Sequence, residues 1–199
     1  MTMGGARVLR AIAHPVRNRV LGELGAIGPL RAADIAQRIG IPANQASFHL
    51  RQLAKYGLVE EAPELARDGR DRVWRLVDEE GTDVQLGVLE RDPDSKAAVG
   101  VFRRQMADRA KGLVDLAFRS GAEQEKGGTV TVIDDAIALT KDEAKQYVEE
   151  LAALNTRWRT RSRETAATDR RTYAVLQLVQ PYPAQVTEDQ EWSQGDSNP

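Results

Sequence analysis

The residues best placed to do chemistry form a short polar row, Asn44, Gln45, Ser47, Phe48, Arg51 and Gln52, interleaved with the apolar Ala46, Leu50 and Leu53. On a helix the apolar three share the inward face and the others point outward. Amide side chains such as Asn44 and Gln45 can present a donor and an acceptor together to an adenine edge in a DNA major groove, while Ser47 is less selective. Phe48 is either a packing residue or an apolar contact to a thymine methyl. Further along, Arg67, Arg70 and Arg72 surround Asp68-Gly69. Guanidinium groups there, like that of Arg51, would neutralise phosphates or enter a minor groove. The competing reading is a solvated helix start and a solvated hairpin tip.

Other chemistries are poorly supplied. The chain has two histidines, His14 and His49, and no cysteine, which removes disulfides, thiolate metal sites and cysteine nucleophiles together. His14 precedes Pro15 at a helix start and reads as a local capping or packing residue. No histidine follows His49, no Gly-x-Ser-x-Gly turn is present, and no phosphate-cradling glycine loop follows a strand, so an enzyme is not expected. Asp134-Asp135 and Glu149-Glu150 would favour hard ions and read as solvated surface. Neither a regulatory transition metal nor a cofactor is expected.

The elements that must position the polar row follow from spacing. From Ala6 to Ala26, Val8, Leu9, Ile12, Val16, Val20, Leu21 and Leu24 recur at helical intervals, broken once at His14-Pro15. Ala32, Ile35, Ala36 and Ile39 then give a short amphipathic helix that Gly40 ends, with Ile41 plugging the corner. Pro42 can open the next helix, which carries the polar row and ends at Gly57. Extended runs at 58–61 and 72–77 flank Asp68-Gly69 and predict a hairpin. Residues 78–93 read as an acidic linker. Helical spacing returns over 94–118, with Val99, Phe102, Met106, Leu113 and Leu116 on one broad face. Thr129 to Leu139 reads as a strand pair or one bent strand, and Tyr173 to Val179 as another. Between them Thr140 and Glu143 form a capping box that opens a long helix reaching Glu164. Residues 181–199 read as a disordered tail.

The order helix, helix, glycine turn, polar-faced helix and arginine-tipped hairpin is that of a winged helix-turn-helix. The sequence resembles the ArsR-type regulators through Leu9-Arg10-Ala11-Ile12-Ala13-His14-Pro15-Val16-Arg17 and Ala33-Asp34-Ile35-Ala36. The likeness continues in Gln45-Ala46-Ser47-Phe48-His49-Leu50-Arg51-Gln52-Leu53 and Gly57-Leu58-Val59. The resemblance covers about the first 77 residues. It implies a DNA-binding transcription regulator, and it places His49 at a position that touches the DNA backbone; a partly buried structural histidine is the alternative there. Metal sensing, often associated with that family, is not expected here for want of ligands.

The charge distribution agrees with this division. Residues 1–77 hold 12 Lys+Arg against 7 Asp+Glu, a balance of +5, and the remainder holds 16 against 23, a balance of −7. A basic first part suits a polyanion and an acidic second part does not. The expected fold is α+β and mostly helical. Its parts are a DNA-binding unit over 1–77 and a helical, βαβ-like dimerisation region over 94–180. The expected partners are double-stranded DNA, read as an inverted repeat through helix 43–56 and wing 62–72, and a second copy of the chain. Near Tyr147, Trp158 and Tyr173 the β-helix-β order leaves room for a small-molecule effector, with ordinary core aromatics as the alternative. No apolar run approaches the ~20 residues of a membrane span, and the start lacks the pattern of a secretory signal, so a soluble cytoplasmic protein is expected. A winged helix used only for protein contact is the competing function.

Overall fold

Pro15 divides the first helical run. Its fixed φ and missing N–H suit the first turn of a helix and not an interior. Helix α1 (Gly5–Ala13) therefore stops, and α2 (Pro15–Ile27) starts after an extended His14 with φ −68° and ψ 123°. The computed structural model describes residues 5–66, 72–78, 93–119, 128–164 and 170–181. Gly28 ends α2 with φ 100°, its N–H donating to the Leu24 carbonyl at 2.9 Å.

A two-residue strand, β1 (Leu30–Arg31), leads directly into α3 (Ala32–Ile39). Asp34 fastens this start: its carboxylate accepts from the Arg31 backbone N–H at 3.3 Å and from the Arg31 guanidinium at 2.8 and 2.9 Å. Gly40 takes the left-handed conformation, φ 71° and ψ 38°, that an L side chain resists. The chain thereby reverses, and the Ile41 N–H closes onto the Ala36 carbonyl at 3.0 Å. Helix α4 (Ala43–Lys55) follows, then β2 (Val59–Glu61), one 3-10 turn at Pro63–Leu65, and β3 (Val73–Leu76). The three strands form one antiparallel sheet in the order β1-β3-β2, with Leu30 opposite Trp74 and Val59 opposite Leu76. Two long helices complete the described chain, α5 (Pro93–Arg119) and α6 (Lys141–Glu164). The fold is mostly helical α+β, with an N-terminal helix-turn-helix followed by wing-like strands.

The main core gathers Ala11, Val20, Leu24, Ile35, Ala36, Ala46, Leu50, Leu53, Leu58, Val59 and Trp74. Helices α1 to α4 and one face of the small sheet, through Val59 and Trp74, thus lose apolar surface to the same centre. A second, smaller cluster joins Leu9 of α1 to Ala98 and Val99 of α5, with Ile12 and Phe102 packed against it. The capping box before α6 forms as expected: the Thr140 N–H donates to Glu143 at 2.7 Å, and the Glu143 N–H donates to the Thr140 hydroxyl at 3.3 Å. The Thr140 N–H, and after it the Thr140 hydroxyl, each donating to the carboxylate at 2.7 Å, hold the Glu143 carboxyl below its ordinary value.

Several expectations are corrected. β1 has no signature in the sequence, because two residues carry no period of their own and β1 exists through its pairing with β3. The stretches 129–139 and 173–179 are not laddered strands; their backbones are irregular and make no strand pairing among the described residues. Leu116, placed with Val99 and Phe102 on one face, is exposed, since α5 runs beyond the helix it packs on. The hairpin tip at 67–71, all but the ends of the linker at 78–93, and the tail beyond residue 181 lie outside the described residues.

Candidate nucleic-acid interface

Helix α4 is held by its inward line, in which Ala46, Leu50 and Leu53 have no exposed surface. That leaves its opposite side as one continuous outward strip. Asn44, Gln45, Phe48 and Arg51 are exposed there, and Ser47, His49 and Gln52 are half-buried along its margins. The structure therefore brings seven of the expected residues onto one helix surface.

Their individual states differ. The Asn44 side-chain carbonyl accepts the Gln45 backbone N–H at 2.9 Å, so Asn44 partly serves the helix start itself. The Ser47 hydroxyl donates to the Ala43 carbonyl at 2.9 Å, leaving only its lone pairs for an outside donor. Gln45 stands outward beside them and is the amide with its face open. Phe48 keeps 51% of its surface exposed, too much for a core residue. Arg51 is exposed and forms no ion pair with a described residue.

The root of the wing is electrically quiet by comparison. Arg72 pairs with Glu61 at 3.1 Å across the β2–β3 ladder, and Arg75 bridges Glu60 at 2.7 Å and Glu64 at 2.5 Å. Exposed pairs of this kind contribute little to stability, yet they cancel charge locally. Arg72, expected to meet DNA, is thus already engaged with an acid. Arg67 and Arg70, at the tip, lie outside the described residues.

His14 and His49, 35 positions apart in the chain, meet at 4.9 Å between ring centroids with their planes tilted by 46°, and Phe48 meets His49 edge-on at 5.4 Å. No periodicity announces that contact; it exists because α4 crosses the α1–α2 corner. The Nδ1 atoms of both rings are buried without a hydrogen-bond partner. Burial first, and then Arg17, lowers the pKa of His14; burial, His14 and Arg17, in that order, lower that of His49. Both rings are neutral near pH 7, and His49 supports Phe48 from beneath rather than offering a cation.

A pH dependence follows. The unfolded chain takes up these protons near the ordinary imidazole value of about 6.5, the folded chain only below it. The contribution to stability is complete above about 6.5 and is lost as pH falls through the depressed values. Thermal unfolding followed by circular dichroism between pH 7.5 and 5.5 should show a falling midpoint in the lower part of that window. His49→Gln should flatten the fall; an unchanged slope would assign it to other groups.

One residue was not legible as functional. Glu23, on α2, is 2% exposed. Its carboxylate accepts from the Thr172 hydroxyl at 2.8 Å and lies 3.7 Å from Arg19 and 3.9 Å from Arg38 of α3. Close by, Arg163 of α6 donates to the Gly25 carbonyl at 2.6 Å. Together these bind the chain after α5 to the back of the helix-turn-helix. An open cleft of ≈ 1750 Å³ lies between α2, α5 and the α6 region, lined by Val16, Arg19, Met106, Leu113, Trp158 and Tyr173 among others. Tyr147, expected beside Trp158 and Tyr173, is not among its lining residues. Among the described residues no three His, Cys, Asp or Glu side chains converge as metal ligands, and no helix is long and apolar enough to cross a membrane.

An α3–glycine–α4 pair with a polar outward α4 and a strand hairpin behind it defines a helix-turn-helix of the kind that binds DNA. The comparison with known families agrees: residues 12–62 match the family model described as a helix-turn-helix domain. The match spans α2, α3, α4 and β2, the segment that carries the polar row. No curated protein matches the chain.

Proposed function

We propose that the protein is a dimeric, metal-independent transcription regulator that reads an inverted-repeat DNA site. The observation that carries the reading is the outward strip of α4, with Gln45, Phe48 and Arg51 exposed on a helix fixed from behind by Ala46, Leu50 and Leu53. In this reading the strip enters the major groove. Gln45 and Asn44 contact base edges, and Ser47, Gln52 and Arg51 flank them along the backbone. Arg67 and Arg70 at the wing tip meet phosphates or the minor groove, Arg72 giving up its tie to Glu61 to join them. Two such helices about 34 Å apart, one from each copy, address successive turns of the duplex. The motifs shared with ArsR-type regulators support a place near that family. The absence of cysteine from the sequence argues against its thiolate sensing. Among the described residues of the site the one hydroxyl, that of Ser47, already donates to the Ala43 carbonyl, and a binding rather than a catalytic role is proposed, in the cytoplasm where its DNA lies. The cleft between α2 and α6 is where a small-molecule effector would sit.

Selection of bound fragments from genomic DNA, followed by affinity measurements on the recovered site at 50 and 200 mM salt, tests the proposal. Binding is expected to weaken by about 10³-fold or more across that range, because six or more phosphate contacts from two copies release counterions. Recovery of no preferred fragment, or an affinity indifferent to salt, would assign the winged helix to protein contact instead.

A further inference from the structure

We infer that the segments 129–139 and 172–179 form a sheet only together with the same segments of a second copy, the partner's 172–179 lying between this chain's own two stretches. The inference deepens the dimer reading above and rests on it. Among the described residues from 128 to 181 not one is buried, although they include a 24-residue helix. Ile133 is 82% exposed and Leu178 74%, and Val132, Ile137, Tyr173, Val175, Leu176 and Val179 are exposed with them. Apolar surface on this scale, in stretches of β-branched and aromatic residues without a ladder, marks strands whose partner is another molecule.

The spacing of the two stretches says which molecule. They touch through the Tyr173 hydroxyl, 3.4 Å from the Thr129 backbone nitrogen. A whole tyrosyl side chain therefore stands between backbones that, if laddered, would lie about 4.8 Å apart. At this end the tyrosyl reach allows the two backbones to stand up to about twice that far apart, room for one further strand between them. Because α6 carries the chain back from the end of the first stretch to the start of the second, the two run in the same direction. A strand inserted between them from a two-fold-related copy runs opposite to both, giving four antiparallel strands in the order 129–139, partner's 172–179, 172–179, partner's 129–139.

The residue chemistry fits those places. Residues 173–179 carry no charge and are largely apolar, as an inner strand requires, with Leu176 and Leu178 on one side and Tyr173, Val175 and Val179 on the other, where Gln177 is the one polar residue and accepts from Asn155 of α6 at 2.8 Å. Residues 129–139 carry Asp134 and Asp135 in their middle, and charge there suits an edge strand that must not recruit a further chain. Antiparallel insertion also brings the partner's Arg170 and Arg171 to the acidic part of that edge. A partner of different sequence would have to supply both the apolar inner strand and the matching charge; a second copy has both by construction.

In the central pair, residue 176 lies at or beside the two-fold axis, opposite its own counterpart, at a Cα separation of about 4.5–5.5 Å that a disulfide can span. The chain has no cysteine of its own, so single cysteines report cleanly. Val175→Cys, Leu176→Cys and Gln177→Cys, with Gln37→Cys on α3 as the control, should be purified as full-length protein, mildly oxidised and run on a denaturing gel. Wild type should sediment as a dimer, and at least one of the three should pass more than half into a covalent dimer while the control stays monomeric. A dimer in which none of the three links above the control would place the interface elsewhere and overturn the inference, leaving the DNA reading intact. Sedimentation of wild type as a monomer at about 10 µM would overturn the inference too. Loss of DNA binding alone, with the cross-link formed, would overturn the DNA reading and not the sheet.

Discussion

Gln45→Ala should lower affinity for the selected DNA site by about 100-fold or more and leave the melting temperature unchanged. Gln45 is exposed at the start of α4, so truncating it removes no packing. A bidentate amide–adenine pair is worth about 1–3 kcal/mol, and a dimer loses it twice. The loss should also be confined to sites carrying the matching base, so that a site changed at that position binds wild type and variant alike. Arg51→Ala makes the contrasting control. As a phosphate contact it should weaken all sequences equally and reduce the salt slope by about one per copy. A Gln45→Ala variant that binds like wild type would move base reading to Asn44 or to the wing.

The second large effect is on stability. Leu50→Ala should destabilise the protein by about 3 kcal/mol, within the ~2–5 kcal/mol range for emptying a buried leucine site. Leu50 has no exposed surface and belongs, with Ile35 and Trp74, to the main core. Against a total stability of some 5–15 kcal/mol that is a large share, and the midpoint of thermal or urea unfolding should fall accordingly. Phe48→Ala, two residues earlier and half exposed, should cost less than about 1 kcal/mol and act on DNA binding instead. The pair of variants separates the two readings of Phe48 left open by its sequence context. Equal destabilisation would make Phe48 part of the core.

What could be read in advance was what the chain dictates locally. Pro15 and Gly40 punctuate the helices because each imposes or permits a backbone conformation that its neighbours cannot, and Ala46, Leu50 and Leu53 name the buried face of α4 by spacing alone. The outward strip followed by subtraction. What escaped was decided by residues far apart: β1 depends on β3, the His14–His49 ring contact on the crossing of α4 over the α1–α2 corner, and the burial of Glu23 on Thr172. The segments at 129–139 and 173–179 illustrate the remaining case. Their composition is that of strands, but a strand is completed by hydrogen bonds to a neighbour, and none of the described residues supplies them.

The contacts of Glu23 have a consequence for the DNA. Its carboxylate joins α2, the α3 residue Arg38 and Thr172 beyond α6, so the reading head does not swivel on a tether. On the proposed dimer the rotational phase of the two half-sites then becomes a fixed property of the protein. One base pair added between them turns one half-site by roughly 35° about the duplex axis, a turn taking about 10–10.5 bp. Such a site can be met only by twisting the DNA or by tearing the head from its mount, and spacing should be as sharply selected as sequence.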